Sequence, residues 1–269
     1  MDKETLRRVQ LTQLEILKEV DRVCRENGIE YWLDSGTLLG AIRHKGFIPW
    51  DDDLDIGMPR KDYDLFMKIA PDKLGDNYFL QNWNIDKNYQ LPFAKVRKKG
   101  TVYTEFQFRN SRAWNGIYID VFPYDNYIND KFQGRELKLL KLMILPKCGI
   151  RSWKEQNRIN WKKYITHIPT RALSFFFTKE FLIRRYEKVA VRHNDKRCDY
   201  YFPQGISNYG KWIIPTKAMS EMIQIKFEDL YFNVPKGYDE YLTYTYGDYM
   251  KLPPEEQREN RHQIIEVKF

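Results

Sequence analysis

The sequence predicts a mixed α/β (α+β) protein, in which a mixed β-sheet core is flanked by helices and carries a basic helical insertion. Three observations predict it. Short apolar, aromatic and β-branched runs interleave with segments of helical periodicity along the 269 residues. An apolar content of 42% is enough for one sizeable core. No repeat or low-complexity linker divides the chain. Residues 1–269 therefore read as a single domain, with 131–198 as a helical subdomain within it.

The elements follow in order. Residues 4–27 predict a helix, because Leu6, Val9, Leu14, Leu17, Val20 and Cys24 recur near the 3.6-residue period and Gly28 closes it. Ile29–Asp34 reads as a strand, broken by Ser35 and Gly36, and Thr37–Arg43 as a short helix. Asp53–Met58 is a second strand ended by Pro59, followed by a helix over Lys61–Ala70. Residues 90–108 hold one or two strands around Pro92–Arg97. Gly116–Phe122 is apolar enough for a central strand, with Pro123 at its end. Residues 131–197 are helical in pattern, with breaks near Pro146, Gly149 and Pro169. Phe227–Val234 reads as a late strand, Tyr238–Tyr246 as a helix, and the tail with Pro253 and Pro254 mostly as loop.

Composition excludes several classes. Cys24, Cys148 and Cys198 are odd in number and far apart, with neither a disulfide framework nor metal-ligand spacing, which favours a reducing compartment. The charged N-terminus is unlike a signal peptide. No apolar run reaches the roughly 18 residues of a membrane span. The expectation is a soluble, cytoplasmic protein. Its formal net charge of +8 is uneven: residues 131–198 carry 18 Lys and Arg against 5 Asp and Glu, and the remainder is mildly acidic.

The densest chemistry is the run Gly46–Gly57, which holds Asp51, Asp52, Asp53 and Asp55. If Leu54 and Ile56 face a core, Asp53 and Asp55 share the other face of a strand, roughly 7 Å apart. Two such charges repel by about 2 kcal/mol at an effective dielectric near 20. A divalent cation with oxygen ligands would compensate. Asp120, alone among apolar neighbours in a central strand, reads as a buried unpaired carboxylate, which is costly, and a cation shared with Asp53 and Asp55 would relieve it. Asp34–Gly40 predicts a strand, a turn at Gly36 and Thr37, and a helix start, where backbone N–H groups can receive an anion. Arg43, His44, Lys45, Lys95 and Arg97 can clamp phosphate oxygens, and Asp51 and Asp52 suit a supporting role. Metal carboxylates beside a phosphate-binding turn suit phosphoryl transfer. Bland readings stand beside these: solvated charges for Lys95 and Arg97, a strand-end cap for Asp120, surface histidines at 44 and 262, and packing roles for Trp32 and Trp50.

The stretch Ser35–Gly57 resembles the signature of the LicD family, whose better-known members are phosphocholine transferases, with fukutin-like sugar-phosphate transferases as relatives. Tyr118–Pro123 is similar to that family's second acidic strand. Phe227–His262, with Val234-Pro235, Tyr246–Tyr249 and Leu252–Pro254, is similar to its C-terminal block. Nothing in 131–198 matches. The resemblance implies a nucleotidyltransferase-like fold and Mg²⁺ or Mn²⁺ held by Asp53, Asp55 and Asp120, the last or a neighbour also serving as base. It implies that Gly36 and Thr37 position donor phosphates, and it makes substrate contact by Lys95, Arg97 and His262 an expectation. It further implies a CDP-alcohol donor, CDP-choline first, and a glycan acceptor such as a teichoic acid, lipopolysaccharide or capsule precursor, which can be lipid-linked. The transferred alcohol, choline, ribitol or glycerol phosphate, is left open.

Rival readings are a glycosyltransferase whose acidic pair holds the metal of a nucleotide sugar, and a non-catalytic module for membrane or anionic polymer. The basic segment interleaves Lys and Arg with Trp153, Trp161, Tyr164, Phe175, Phe176, Phe177, Phe181 and Tyr186. Such a segment can lie on an anionic membrane at the inner face of the cell. The alternative is a helical subdomain with its aromatics packed inward. Nucleic acid is disfavoured, since nothing but charge points to it.

Overall fold

The computed structural model describes residues 1–150, 160–205, 212–260 and 262–269. Trp153, named above among the aromatics of the basic segment, lies outside them.

The chain opens with α1 (Lys3–Asn27), started by the Asp2 carboxylate accepting from the Thr5 amide at 2.8 Å and stopped by Gly28 at φ 64°. Then come β1 (Trp32–Leu33), α2 (Ser35–Arg43), β2 (Asp55–Pro59) and α3 (Arg60–Lys73). β3 (Tyr78–Gln81), β4 (Ala94–Lys98), β5 (Val102–Glu105) and β6 (Tyr118–Tyr127) follow. The basic segment forms α4 (Lys131–Ile144), α5 (Trp161–Ser174) and α6 (Lys179–Ala190). The remainder is β7 (Tyr200–Pro203), β8 (Ile214–Pro215), β9 (Met222–Phe227), β10 (Leu230–Pro235), α7 (Tyr238–Tyr246) and β11 (Ile264–Lys268).

The main sheet is mixed, as the sequence predicts. Its strands run β1-β2-β6-β4-β3, with β7 continuing beside β6 and β8 beside β7. Among the described residues only β2 and β6 pair in parallel, and their register sets Asp55 beside Asp120. α1 and α3 pack on the sheet, and α2 packs against β2 and β9. The resulting core includes the fully buried Leu17, Val20, Leu38, Ile56, Phe66, Val96 and Val121. α4 and α6 close over a separate core of Leu137, Leu140, Met143, Leu182, Ile183 and Val189. It is tied to the sheet by Trp83 Nε1 donating to Glu187 at 2.8 Å and by the Tyr186 hydroxyl donating to Gln204 at 3.1 Å. Asp125 of β6, almost fully buried, accepts two bonds from Arg60 and one from Asn194.

Several boundaries differ from expectation, each for a physical reason. β1 keeps only Trp32 and Leu33, because only these pair with β2. β2 starts at Asp55, so Asp53 lies in the loop before it rather than on the same strand face. β6 runs through Pro123. The Asp120 amide donates to Leu54 on the β2 side, so by alternation position 123 faces the other side. There β4 has ended at Val121 and β7 starts at Tyr124, and no amide is required between them. Pro169 sits inside α5 on a face open to solvent, where water can take the carbonyl bond it forfeits. Phe227–Val234 is not one strand but a hairpin turning at Glu228 (φ 58°), and the tail ends in β11, which pairs with β5.

Candidate active site

The start of α2 and the start of β2 are stitched together. The Asp34 amide donates to the Asp55 carbonyl at 3.0 Å, and the Asp55 amide donates to the Thr37 hydroxyl at 2.8 Å. Thr37 is thus a buried structural link at the turn. Gly36 faces Asp51, and a Cβ there would stand 2.9 Å from its Oδ2. The preceding Ser35 has φ 47°, in the left-handed region that strains a residue with a side chain. Asp34 is buried and accepts from the hydroxyls of Tyr124 at 2.8 Å and Tyr241 at 2.5 Å. Burial nevertheless holds its carboxyl above the usual range.

These elements form one wall of a cleft of about 800 Å³. Asp51, Asp53 and Asp55 line it, together with Trp50, Trp212, Tyr246 and Tyr249. The Arg43 guanidinium holds the opposite rim by donating to the Tyr249 carbonyl at 2.8 Å and the Lys251 carbonyl at 3.3 Å. His44 accepts from Arg43 Nε at 3.0 Å and sets its ring edge-on to Trp50. Burial, then Arg43, lowers its pKa.

The acidic run divides by role. Asp52 is fully buried and fixed from several sides: Tyr103 donates to Oδ2 at 3.1 Å, His262 Nδ1 lies 3.1 Å from Oδ1, and Gln13 donates to its carbonyl. Among the described residues, carboxylate oxygens of Asp51, Asp52 and Asp53 lie within 4.8 Å of one another. Burial, then Asp53, Asp120, Asp34 and Asp51, drives the Asp55 carboxyl well above its usual range. His262 sits 3.9 Å from Asp53. Burial opposes its charge, but the Asp52 hydrogen bond with the charges of Asp53 and Glu105 outweighs burial and pushes its pKa up to about 9. It stands as an imidazolium at neutral pH.

Asp120 corrects a premise of the sequence argument. It is not unpaired: Lys95 Nζ lies 2.5 Å from its Oδ1, on the neighbouring strand. Burial still raises the Asp120 carboxyl, Lys95 works against it, and Asp53 adds to it. Lys95 and Arg97 are buried, which removes the solvated reading as well, and neither lines the cleft. Lys95 lies 3.3 Å from the Tyr118 ring centre. Arg97 donates to Gln81 at 2.5 Å and to the Gly116 carbonyl at 2.6 Å.

The structure therefore brings Gly36, Arg43, Asp51, Asp53, Asp55 and His262 to one cleft, with Asp120 beside Asp55, and holds Lys95, Arg97, Thr37 and Asp52 behind it. Sequence reasoning missed the aromatic wall of Trp50, Trp212, Tyr246 and Tyr249, and the Asp34–Tyr124–Tyr241 cluster. Tyr246–Tyr249 was visible as a motif, but nothing local assigned it to the cleft.

Comparison with known proteins matches residues 28–144 to a family described as LicD/FKTN/FKRP, nucleotidyltransferase domain. The chain is 33% identical to the lipopolysaccharide cholinephosphotransferase LicD of Haemophilus influenzae, over 97% of each chain. It is 39% identical to the mouse ribitol-5-phosphate transferase FKTN over 78% of this chain and 40% of that one. It is 45% identical to the human ribitol 5-phosphate transferase FKRP over 41% of this chain and 21% of that one.

Proposed function

Because the chain belongs to the LicD family, we propose that it is a phosphoalcohol transferase that moves phosphocholine from CDP-choline to a hydroxyl of a cell-surface glycan or its precursor. The acceptor oxygen attacks the phosphorus bearing choline, the bond from that phosphorus to CMP breaks, and the hydroxyl proton passes to a carboxylate of the cluster. The observation that carries this reading is a single cleft lined both by Asp51, Asp53 and Asp55 and by Trp50, Trp212, Tyr246 and Tyr249. The acids suit a phosphoryl group with its counter-ion, and electron-rich rings suit a quaternary ammonium. A cholinephosphotransferase matched along nearly its whole length supports choline over ribitol.

The donor set fits a hard divalent cation. Asp55 is half-buried and crowded by four other carboxylates; among the described residues, Lys95 pairs with Asp120, and His262 lies 3.1 Å from Asp52 and 3.9 Å from Asp53. Asp53 and Asp55 would hold Mg²⁺ or Mn²⁺, with Asp51 and Asp120 adjoining. The ion would neutralise phosphate oxygens. The amides at Gly36 orient the donor, protonated His262 ties the acidic loop to the tail, and Gln13 ties it to α1. Nucleotide release measured with CDP-choline, CDP-ribitol, CDP-glycerol and UDP-sugars tests the proposal. Release from CDP-choline is expected, and release from UDP-sugars alone would replace it with glycosyl transfer.

A further inference from the structure

Helix α5 turns its apolar face the wrong way for a core helix. Trp161, Ile165, Ile168 and Ala172 recur at helical spacing along one stripe, and all are exposed, Trp161 by 64% and Ile165 by 63%. The side toward the protein carries the half-buried Tyr164, His167 and Arg171 and the buried Ser174. Just past the helix, Phe175 and Phe176 are 81% and 82% exposed. Phe177 turns inward instead, stacking on Phe181 with ring centres 5.3 Å apart and packing on the second core. The two exposed rings therefore stand on an anchored base. On the neighbouring α4, Phe132 (79%) and Leu139 are exposed as well.

Charge decides what covers this face. Lys162 and Lys163 lie exposed in the first turn of α5, and Lys131, Arg135 and Lys138 lie exposed along α4. A second copy of the chain would bring the same positive segment against itself. A nucleic acid would meet the charge but gain nothing from Ile165, Ile168 and Leu173. A bilayer surface with acidic headgroups satisfies both features, taking aromatic and aliphatic side chains at the acyl boundary and Lys and Arg at the phosphates. We propose that α5 and the Phe175–Phe176 tip dock on an anionic phospholipid surface, with the helix lying in the plane of the interface. This face does not depend on the chemistry of the cleft.

Flotation of the full-length protein with vesicles tests it, using phosphatidylcholine alone and phosphatidylcholine mixed with phosphatidylglycerol. The parent floats with the mixed vesicles and less with the neutral ones. The double variant Phe175→Ser/Phe176→Ser loses roughly tenfold or more in partitioning. Lys162→Glu/Lys163→Glu loses the preference for the acidic lipid, roughly fivefold for each charge removed from the surface. Circular dichroism melts that match the parent establish that these exposed substitutions leave the fold intact. Absence of flotation, or flotation that Phe175→Ser/Phe176→Ser leaves unchanged, overturns the proposal. So does a dimer in light scattering that this variant disperses while the parent fails to float. Nucleotide release with a water-soluble acceptor persists in both variants, which separates failure of docking from failure of the proposed reaction.

Discussion

Lys95→Met removes the cation from a buried pair while keeping most of the side-chain stem. The lysine ammonium lies 2.5 Å from Asp120 Oδ1, and the lysine side chain is 3% exposed. With the ammonium gone, Asp120 faces Asp55 on the adjacent strand and Asp53 nearby. Leaving one partner of a buried pair alone costs about 3–5 kcal/mol. The cost has a ceiling, because Asp120 can take up a proton. Holding neutral in the fold an acid that titrates near 3.9 when unfolded costs about 4 kcal/mol at pH 7 and about 1.5 kcal/mol at pH 5. The sign follows from linkage: the folded carboxyl binds the extra proton, so the deficit grows as pH rises above the unfolded pKa. For a chain of this size the pH 7 deficit corresponds to a melting point lower by roughly 10 °C. Calorimetric melts of Lys95→Met at pH 7 and pH 5 measure it, and Lys95→Met/Asp120→Asn should recover most of the loss. A midpoint unchanged at pH 7, or a deficit that widens toward pH 5, would refute the pairing. If Asp120 adjoins the divalent ion, Mg²⁺ raises the midpoint of Lys95→Met more than that of the parent. Equal shifts would remove Asp120 from the ion's surroundings.

Asp55→Asn removes a half-buried carboxylate crowded by Asp53, Asp120, Asp34 and Asp51. It should raise stability by about 1–2 kcal/mol in urea titration while abolishing nucleotide release, and a fall in stability would contradict repulsion among these carboxylates. His262, with its pKa raised from 6.5 to about 9, contributes stability that is complete below pH 6.5 and lost as pH climbs through 9. His262→Gln should flatten that slope and cost about 1–3 kcal/mol at pH 6, and a slope that survives the substitution assigns it elsewhere. Gly57→Ala would set a Cβ 2.5 Å from Trp32 Cε2 across the β1–β2 pair. A loss of about 1–3 kcal/mol is expected, readable as a lower denaturation midpoint with unchanged m-value.

Long periodic signals and strong stops were legible in the sequence. The heptad-like spacing of α1 ends at Gly28, and the apolar run of β6 is central, because both depend on local pattern. What escaped depends on neighbours. Pro123 continues a strand because two other strands meet at its missing amide. β3, β7 and β11 are short, and β11 becomes a strand by pairing with residues more than a hundred positions earlier. The basic segment shows the same limit. Tyr186 packs inward as an ordinary core residue, while Trp161, Phe175 and Phe176 face out, and spacing in the sequence treats them alike.

The site was legible in its acids and not in its organisation. Crowded carboxylates announce themselves, since nothing in a core rewards them, but their roles follow from what surrounds each one. Asp52 is spoken for by Tyr103, Gln13 and His262, which hold the acidic loop rather than leave its charge to the cleft. Asp120 carries its own lysine from the adjoining strand. Asp53 and Asp55 remain at the cleft, the first in a loop and the second at a strand start, with Asp51 near them. Asp51, Asp53 and Asp55 line the same cleft as Trp50, Trp212, Tyr246 and Tyr249, so the crowding that raises the Asp55 carboxyl falls where a phosphate with its counter-ion can enter, in company with rings suited to an ammonium group.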